Sequence, residues 1–198
     1  MAFGRGKKDF GDAPEWLIVG LGNPGRQYEH TPHNIGFETL DELAQRTAVS
    51  FAPKFDGMLA RMRLEREPVA LLKPLTYMNL SGRSVRPASV QLQVAAEHVL
   101  VVHDEVDLPF GELRATFGGG LAGHNGLKSI AQLLRTQDFA RLRIGAGRPD
   151  ADDPRPLADW ILSHWPPERD AELLARRAAD VVETIVRDGL DAAMNAIN

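Results

Sequence analysis

Short apolar runs of strand length alternate along this chain with helix-length amphipathic stretches, and no segment repeats. That alternation limits the fold to an α/β class with a largely parallel sheet. Residues 16–20 and 99–103 are nearly continuous apolar runs, the pattern of strands covered on both faces. Residues 57–63 and 69–73 read as two more strands joined by turn residues 65–68. Residues 112–117 read as an edge or antiparallel strand ended by Gly118-Gly119-Gly120. In 139–144 the order alternates, with Arg141 and Arg143 on a polar face. Helical patterning covers 35–48, 84–94 (Pro87 in its first turn), 125–134, 156–163, 168–187 and 190–196. The expected architecture is one α/β domain over residues 15–198. Its core is a twisted mixed, largely parallel central sheet flanked by helices. Residues 1–14, rich in Gly and mildly basic, are expected to form a flexible leader.

Composition narrows the chemistry. The 198 residues contain no cysteine, which removes disulfides, thiolate metal sites and cysteine nucleophiles. No apolar run reaches the length of a membrane span. Formal net charge is −4. Residues 151–198 hold ten acidic and five basic side chains, so the acidity belongs to the C-terminal quarter. A local basic face upstream stays open, where phosphate would bind electrostatically.

Chemistry-bearing residues gather where strands end. After the first strand comes Gly22-Asn23-Pro24-Gly25-Arg26-Gln27-Tyr28, then His30-Thr31-Pro32-His33-Asn34. Gly20-Leu21-Gly22-Asn23-Pro24-Gly25 matches the G-x-G-x-x-G dinucleotide pattern, but a helix does not open there. His33 carries three readings: a core or capping histidine, a metal ligand with His30, or a general base working near neutral pH. Asp104 follows the strand at 99–103, where open α/β sheets bind ligands. It either orients His33 or joins Glu105 and Asp107 around a divalent ion. Lys73-Pro74-Leu75-Thr76-Tyr77-Met78-Asn79-Leu80-Ser81-Gly82 is too polar for packing alone. Asn79 would polarise a carbonyl or hold a water, Met78 would form an adaptable wall, and Tyr77 would stack on a base or ribose. Ser81 lacks the G-x-S-x-G elbow of a serine nucleophile. The glycines at 118–120 and 123, with His124, Asn125, Lys128 and Arg114 around them, suit a phosphate or ribose cradle, or a lid.

These stretches, taken together and in this order, resemble the bacterial peptidyl-tRNA hydrolase family. The motifs are G-L-G-N-P-G-x-x-Y, H-N-x-G-F, K-P-x-T-Y-M-N-x-S-G, H-D-E-x-D-L-P-x-G, G-G-G-x-x-G-H-N-G-L-x-S-I and R-L-R-I-G-x-G-R-P. The resemblance implies hydrolysis of the ester between a peptide and the tRNA 3′ ribose. It implies a cytoplasmic monomer that needs no metal or cofactor and whose partner is peptidyl-tRNA. His33 then matches the base and Asp104 its orienting carboxylate. Asn23 matches the amide that separates N-blocked from free aminoacyl esters. Asn79 joins the catalytic amides and, with Tyr28, Tyr77, Met78, His124, Asn125, Arg114 and Lys128, contacts the substrate. A non-catalytic RNA-binding protein on the same scaffold, like the family's plant splicing-factor relatives, is the alternative. Pro32 stands where the family usually has Arg, and Thr116 where a basic residue is common. Leu121 and Ala122 replace polar or glycine choices. These departures bear on tRNA contact and loop flexibility.

Overall fold

A computed structural model describes residues 13–150 and 152–198; most of the expected leader, residues 1–12, lies outside the described residues. Strand β1 (Trp16–Gly20) is the middle strand of a seven-stranded sheet. Leu17, Ile18 and Val19 are all fully buried, as the unbroken apolar run requires. Helix α1 (Ile35–Arg46) follows, then β2 (Ala52–Lys54), β3 (Gly57–Leu64) and β4 (Glu67–Pro74). Helix α2 (Gly82–Leu92) leads to β5 (Val99–Glu105) and β6 (Leu113–Phe117), and α3 (Asn125–Leu134) to β7 (Ala140–Gly145). Three helices close the chain: α4 (Leu157–Trp160), α5 (Ala171–Asp188) and α6 (Leu190–Ile197).

Across the sheet the order is β2-β3-β4-β1-β5-β7-β6. The four central strands, β4, β1, β5 and β7, run parallel. The β2-β3-β4 ribbon and β6 are antiparallel additions at the two sides. In register, Ile18 faces Leu71 on one side and Leu100 on the other. Successive residues alternate between two cores. Ile18, Leu100 and Val102 pack with Leu40 and Leu43 of α1 and with Ala178, Val182 and Ile185 of α5. Leu17, Val19, Val99 and Val101 pack with Val85 of α2 and Leu127 and Ile130 of α3.

The structure departs from the sequence reading in places. Strand β2 was not expected; it is an exposed edge segment with Pro53 at its centre, the position where a strand tolerates proline. Helix α2 begins at Gly82, so Pro87 lies inside it and not in its first turn. Both Pro87 and Arg83, whose carbonyl would have received the missing N–H, are exposed, so the forgone bond is on the solvent side. The helix expected over 156–163 is a single turn. The long C-terminal helix starts at Ala171, where the Asp170 side chain accepts the Leu173 N–H at 2.8 Å.

Because the central strands share a direction, their carboxyl ends lie along one edge of the sheet. The start of α1 is pressed onto that edge. A Cβ on Gly36 would come within 2.4 Å of the Val102 carbonyl and 2.5 Å of the Leu21 nitrogen. One on Gly20 would meet the Gly36 carbonyl at 2.3 Å. Only two glycines allow this helix end to touch backbone directly. Gly36→Ala is therefore expected to destabilise by about 3 kcal/mol, the upper end for overpacking against unyielding atoms. A urea midpoint within error of the parent would show that the contact relaxes freely.

Candidate active site

Pressing α1 onto the strand ends delivers His33. Pro32, His33 and Asn34 form one turn of 3-10 helix just before α1, all three buried. Pro32 occupies the first position of that turn, where its preset φ suits the geometry. Pro32 thus stiffens the backbone that carries His33. The His33 N–H donates to the Ile161 carbonyl at 3.0 Å, tying the turn to the segment after α4.

His33 Nδ1–H donates to Asp104 Oδ1 at 2.8 Å. The residues come from positions 71 apart, and their relative exposures are 8% and 4%. Burial by itself would lower the His33 pKa; the charge of Asp104 and its hydrogen bond outweigh that and raise it. Burial would raise Asp104. The His33 charge and the hydrogen bonds from His124 and His33 instead hold it well below the carboxylate range. The carboxylate is thus ionised and the imidazole keeps Nε2 as its acceptor, in a cavity of about 410 Å³. His33, Asp104, Asn125, Leu157 and Ile161 are among its walls.

His124 joins them in an orientation the sequence did not indicate. Its Nε2–H donates to the same Asp104 Oδ1 at 3.1 Å. Its Nδ1 accepts the Gly126 N–H at 3.1 Å and the Leu127 N–H at 3.4 Å, capping α3. His103 lies behind, fully covered, with Nδ1 bonded to the Asp104 carbonyl at 2.7 Å. Burial, then the neighbouring His124, pushes its pKa down to about 3, so it stays neutral.

Among the described residues, His33, Asp104 and His124 form the one group of donor atoms close enough for a metal ion, all within 4.8 Å of one another. Both imidazoles, however, spend an N–H on the carboxylate, and His124 uses its remaining lone pair on α3. A ligand nitrogen must offer a lone pair. Only His33 Nε2 is left with one, so the two rings do not converge on a common ion. The other metal readings separate in space. His30 turns to Glu38, 3.5 Å away. Glu105 pairs with Arg143 at 3.1 Å, and Asp107 with Arg148 at 2.7 Å.

Asn23 is fixed on both sides. Its backbone N–H donates to Asn34 Oδ1 at 2.8 Å, and its carbonyl accepts from Asn34 Nδ2 at 3.0 Å. Its side-chain Oδ1 accepts the Met78 N–H at 2.9 Å, leaving the amide nitrogen as the group on offer. Asn23 and Asn34 line a second cleft of about 460 Å³ with His30, Phe37 and Lys73, and are not among the walls of the His33 cavity. In that cleft burial pushes Glu38 up to about 7 against the His30 N–H, and Asp41 adds to the rise. Met78, the first residue of a 3-10 turn, is buried, and the fully buried Ser81 hydroxyl donates to the Met78 carbonyl at 2.8 Å. Ser81 therefore braces the loop and has no nucleophilic access. Tyr77, 61% exposed, and Asn79, also exposed, stand beside it. Tyr28 is half-buried in its own 3-10 turn and lines neither cleft. Lys128 is exposed on the first turn of α3, and Arg114 is exposed on β6, two strands away from Asp104.

Sequence reasoning missed Arg141, Leu157 and Ile161, and placed the Asn34 amide at the site without its partner. Asn34 reads in the sequence as one of the amides beside His33; that it zips onto the Asn23 backbone comes from the structure. Arg141 looked like one member of a polar strand face. It is almost fully buried, and its guanidinium donates to the carbonyls of Gly120 at 2.6 Å and Gly119 at 2.9 Å. It thereby holds the glycine-rich loop on the path to His124. Ala122 in that loop sits at φ 45°, left-handed, a strain of about 1 kcal/mol that glycine would not carry. Ile161 and Leu157 roof the cavity from a segment that offered only a loop and a short helix. Asn34→Ala leaves the Asn23 N–H and carbonyl buried without partners. It is expected to cost about 2–3 kcal/mol in chemical denaturation; a loss below about 1 kcal/mol would mean those groups re-pair.

A profile of the peptidyl-tRNA hydrolase family matches residues 17–198. The chain is 42% identical to the peptidyl-tRNA hydrolase of Syntrophomonas wolfei, over 92% of this chain and 99% of that one. Identity is 48% with that of a Roseiflexus species, over 92% and 85%. The crystal structure of peptidyl-tRNA hydrolase from Acinetobacter baumannii superposes with a TM-score of 0.82 at 39% identity, covering 92% of this chain and 94% of that one. Sequence and fold agree, and the chain belongs to the peptidyl-tRNA hydrolase family.

Proposed function

We propose that this chain hydrolyses the ester between a peptide and the tRNA 3′ ribose by one direct attack of water. The His33–Asp104 bond of 2.8 Å carries this reading. With Nδ1–H committed to Asp104, the Nε2 lone pair takes a proton from water as its oxygen attacks the ester carbonyl. Asp104 holds the imidazolium that forms. The tetrahedral intermediate then expels the ribose oxygen, which receives the proton back from Nε2. The products are a tRNA hydroxyl and the peptide carboxylic acid, which gives up its remaining proton to solvent and leaves as the carboxylate.

The remaining assignments follow from what each group has left to give. Asn23, its Oδ1 occupied by Met78, presents amide N–H groups to the carbonyl or its developing oxyanion. Exposed Asn79 supplies a second amide. One well-placed donor of this kind is worth about 3 kcal/mol in the barrier. Tyr77, Met78, Asn125 and Tyr28 belong to the substrate's end, and Lys128 and Arg114 to its phosphates; both ring nitrogens of His124 are spent inside the protein. Among the described residues no helix is long and apolar enough to cross a membrane. The working form is a cytoplasmic monomer, with residues 1–14 as a leader and one catalytic domain from residue 15. The chemistry closes on protein groups and water.

The test is turnover of N-acetylaminoacyl-tRNA by the parent chain and by His33→Ala. The variant is expected to lose about a thousandfold or more in kcat while binding deacylated tRNA normally. Undiminished turnover by the variant would remove His33 as the base. A parent without turnover that still binds tRNA would favour the non-catalytic alternative.

A further inference from the structure

One oxygen, Asp104 Oδ1, receives two imidazole N–H groups: His33 Nδ1–H at 2.8 Å and His124 Nε2–H at 3.1 Å. Only the first belongs to the base. The second comes from a ring whose other nitrogen is committed to the start of α3 through Gly126 and Leu127. Accepting those two N–H groups fixes a lone pair on Nδ1 and therefore the hydrogen on Nε2. The His124 side chain is 8% exposed and lies beside both other rings. Its centroid is 5.1 Å from that of His33 and 5.0 Å from that of His103.

From this geometry we infer that His124 is a positioning residue that acts on the reaction through Asp104: it locks the carboxylate in place and draws off part of its charge, and so sets how basic His33 is. This deepens the general-base reading above and rests on it. The α3 amides polarise the ring toward Nε2–H, because the partial positive charge of a helix N-terminus faces Nδ1. Part of that charge reaches Asp104 through the His124 ring. An oxygen shared with a second donor interacts less strongly with the first, so the arrangement moderates the rise that Asp104 alone imposes on His33.

The surrounding charges do not supply this effect by another route. On β5, His103 is neutral and Glu105 is paired with Arg143. On β7, Arg141 is committed to the glycine loop, and Arg143 to Glu105. The wall contributed by α4 and the residue after it is Leu157, Ala158 and Ile161, none of them titratable.

Two substitutions separate the two ends of the ring. In His124→Asn the carboxamide oxygen replaces Nδ1 as a cap of α3, but the side chain is too short to reach Asp104. In His124→Gln the terminal amide nitrogen reaches the position of Nε2, and the cap is lost. The measurement is kcat and KM across pH on N-acetylaminoacyl-tRNA. Without the His124 donor the His33 pKa rises, so the acidic limb of kcat/KM moves to higher pH. For His124→Asn the expected shift is about half a pH unit or more, with kcat down roughly tenfold and KM within about twofold of the parent. His124→Gln is expected to bring the limb back toward the parent position. An unmoved limb with unchanged kcat in His124→Asn would reduce His124 to a helix cap and overturn the inference. A raised KM with an unmoved limb would make it a substrate contact and overturn it equally. His33→Ala loses turnover in every one of these cases, so failure here stays distinct from failure of the general-base reading.

Discussion

Asp104 is an ionised carboxylate held almost entirely out of water, and the site is organised around keeping it there. Burying such a charge costs several kcal/mol unless it is matched. Two imidazole N–H groups provide the match, from a turn before α1 and a turn before α3. Removing either leaves charge uncompensated at the end of β5. The same demand that stabilises the fold thus fixes the tautomer of His33 and leaves its outer nitrogen free for water.

The parallel sheet makes the meeting of these segments a short-range event. His33 and His124 each precede a helix that starts at the carboxyl edge of the strands, and Asp104 lies near the end of the central β5. Close contact at Gly20 and Gly36 lets α1 begin directly over that edge. Two further devices keep the loops from drifting. Asn34 holds Asn23 through its backbone while Met78 holds it through its side chain, so three segments share one hydrogen-bonded chain. Arg141 secures the glycine-rich loop by its carbonyls, which lets a segment with several left-handed residues follow one route. The side chains proposed for the chemistry are here supported by buried hydrogen bonds more than by regular structure.

Much of this was legible in the sequence because it rests on local pattern. The unbroken apolar run at Leu17–Val19 requires cover on both faces, and the structure provides it. His33 and Asp104 were readable as partners because each follows or ends a strand of a parallel sheet. What was not legible depends on direction. Both nitrogens of His124 have specific partners, yet its place in G-H-N-G suggests only a loop residue near the substrate. Arg141 alternates correctly for a polar face, but its burial depends on a loop that returns across it. Asn34 differs from any helix-opening asparagine only in what lies 11 residues upstream. β2 is all exposed, so hydrophobic pattern had nothing to register there. Proline's preference for a first turn points to that position for Pro87; solvent exposure lets α2 carry it further in.

The central claim is that a buried Asp104 charge makes His33 a stronger base than burial alone would allow. It is tested most directly by following the His33 ring through a pH titration by NMR, in the parent and in Asp104→Asn. In the parent the ring is expected to carry its hydrogen on Nδ1 and to titrate above 6.5. In Asp104→Asn the opposing burial acts alone, so the midpoint is expected to fall below 6.5. A midpoint that stays put or rises when the carboxylate is neutralised would contradict the account.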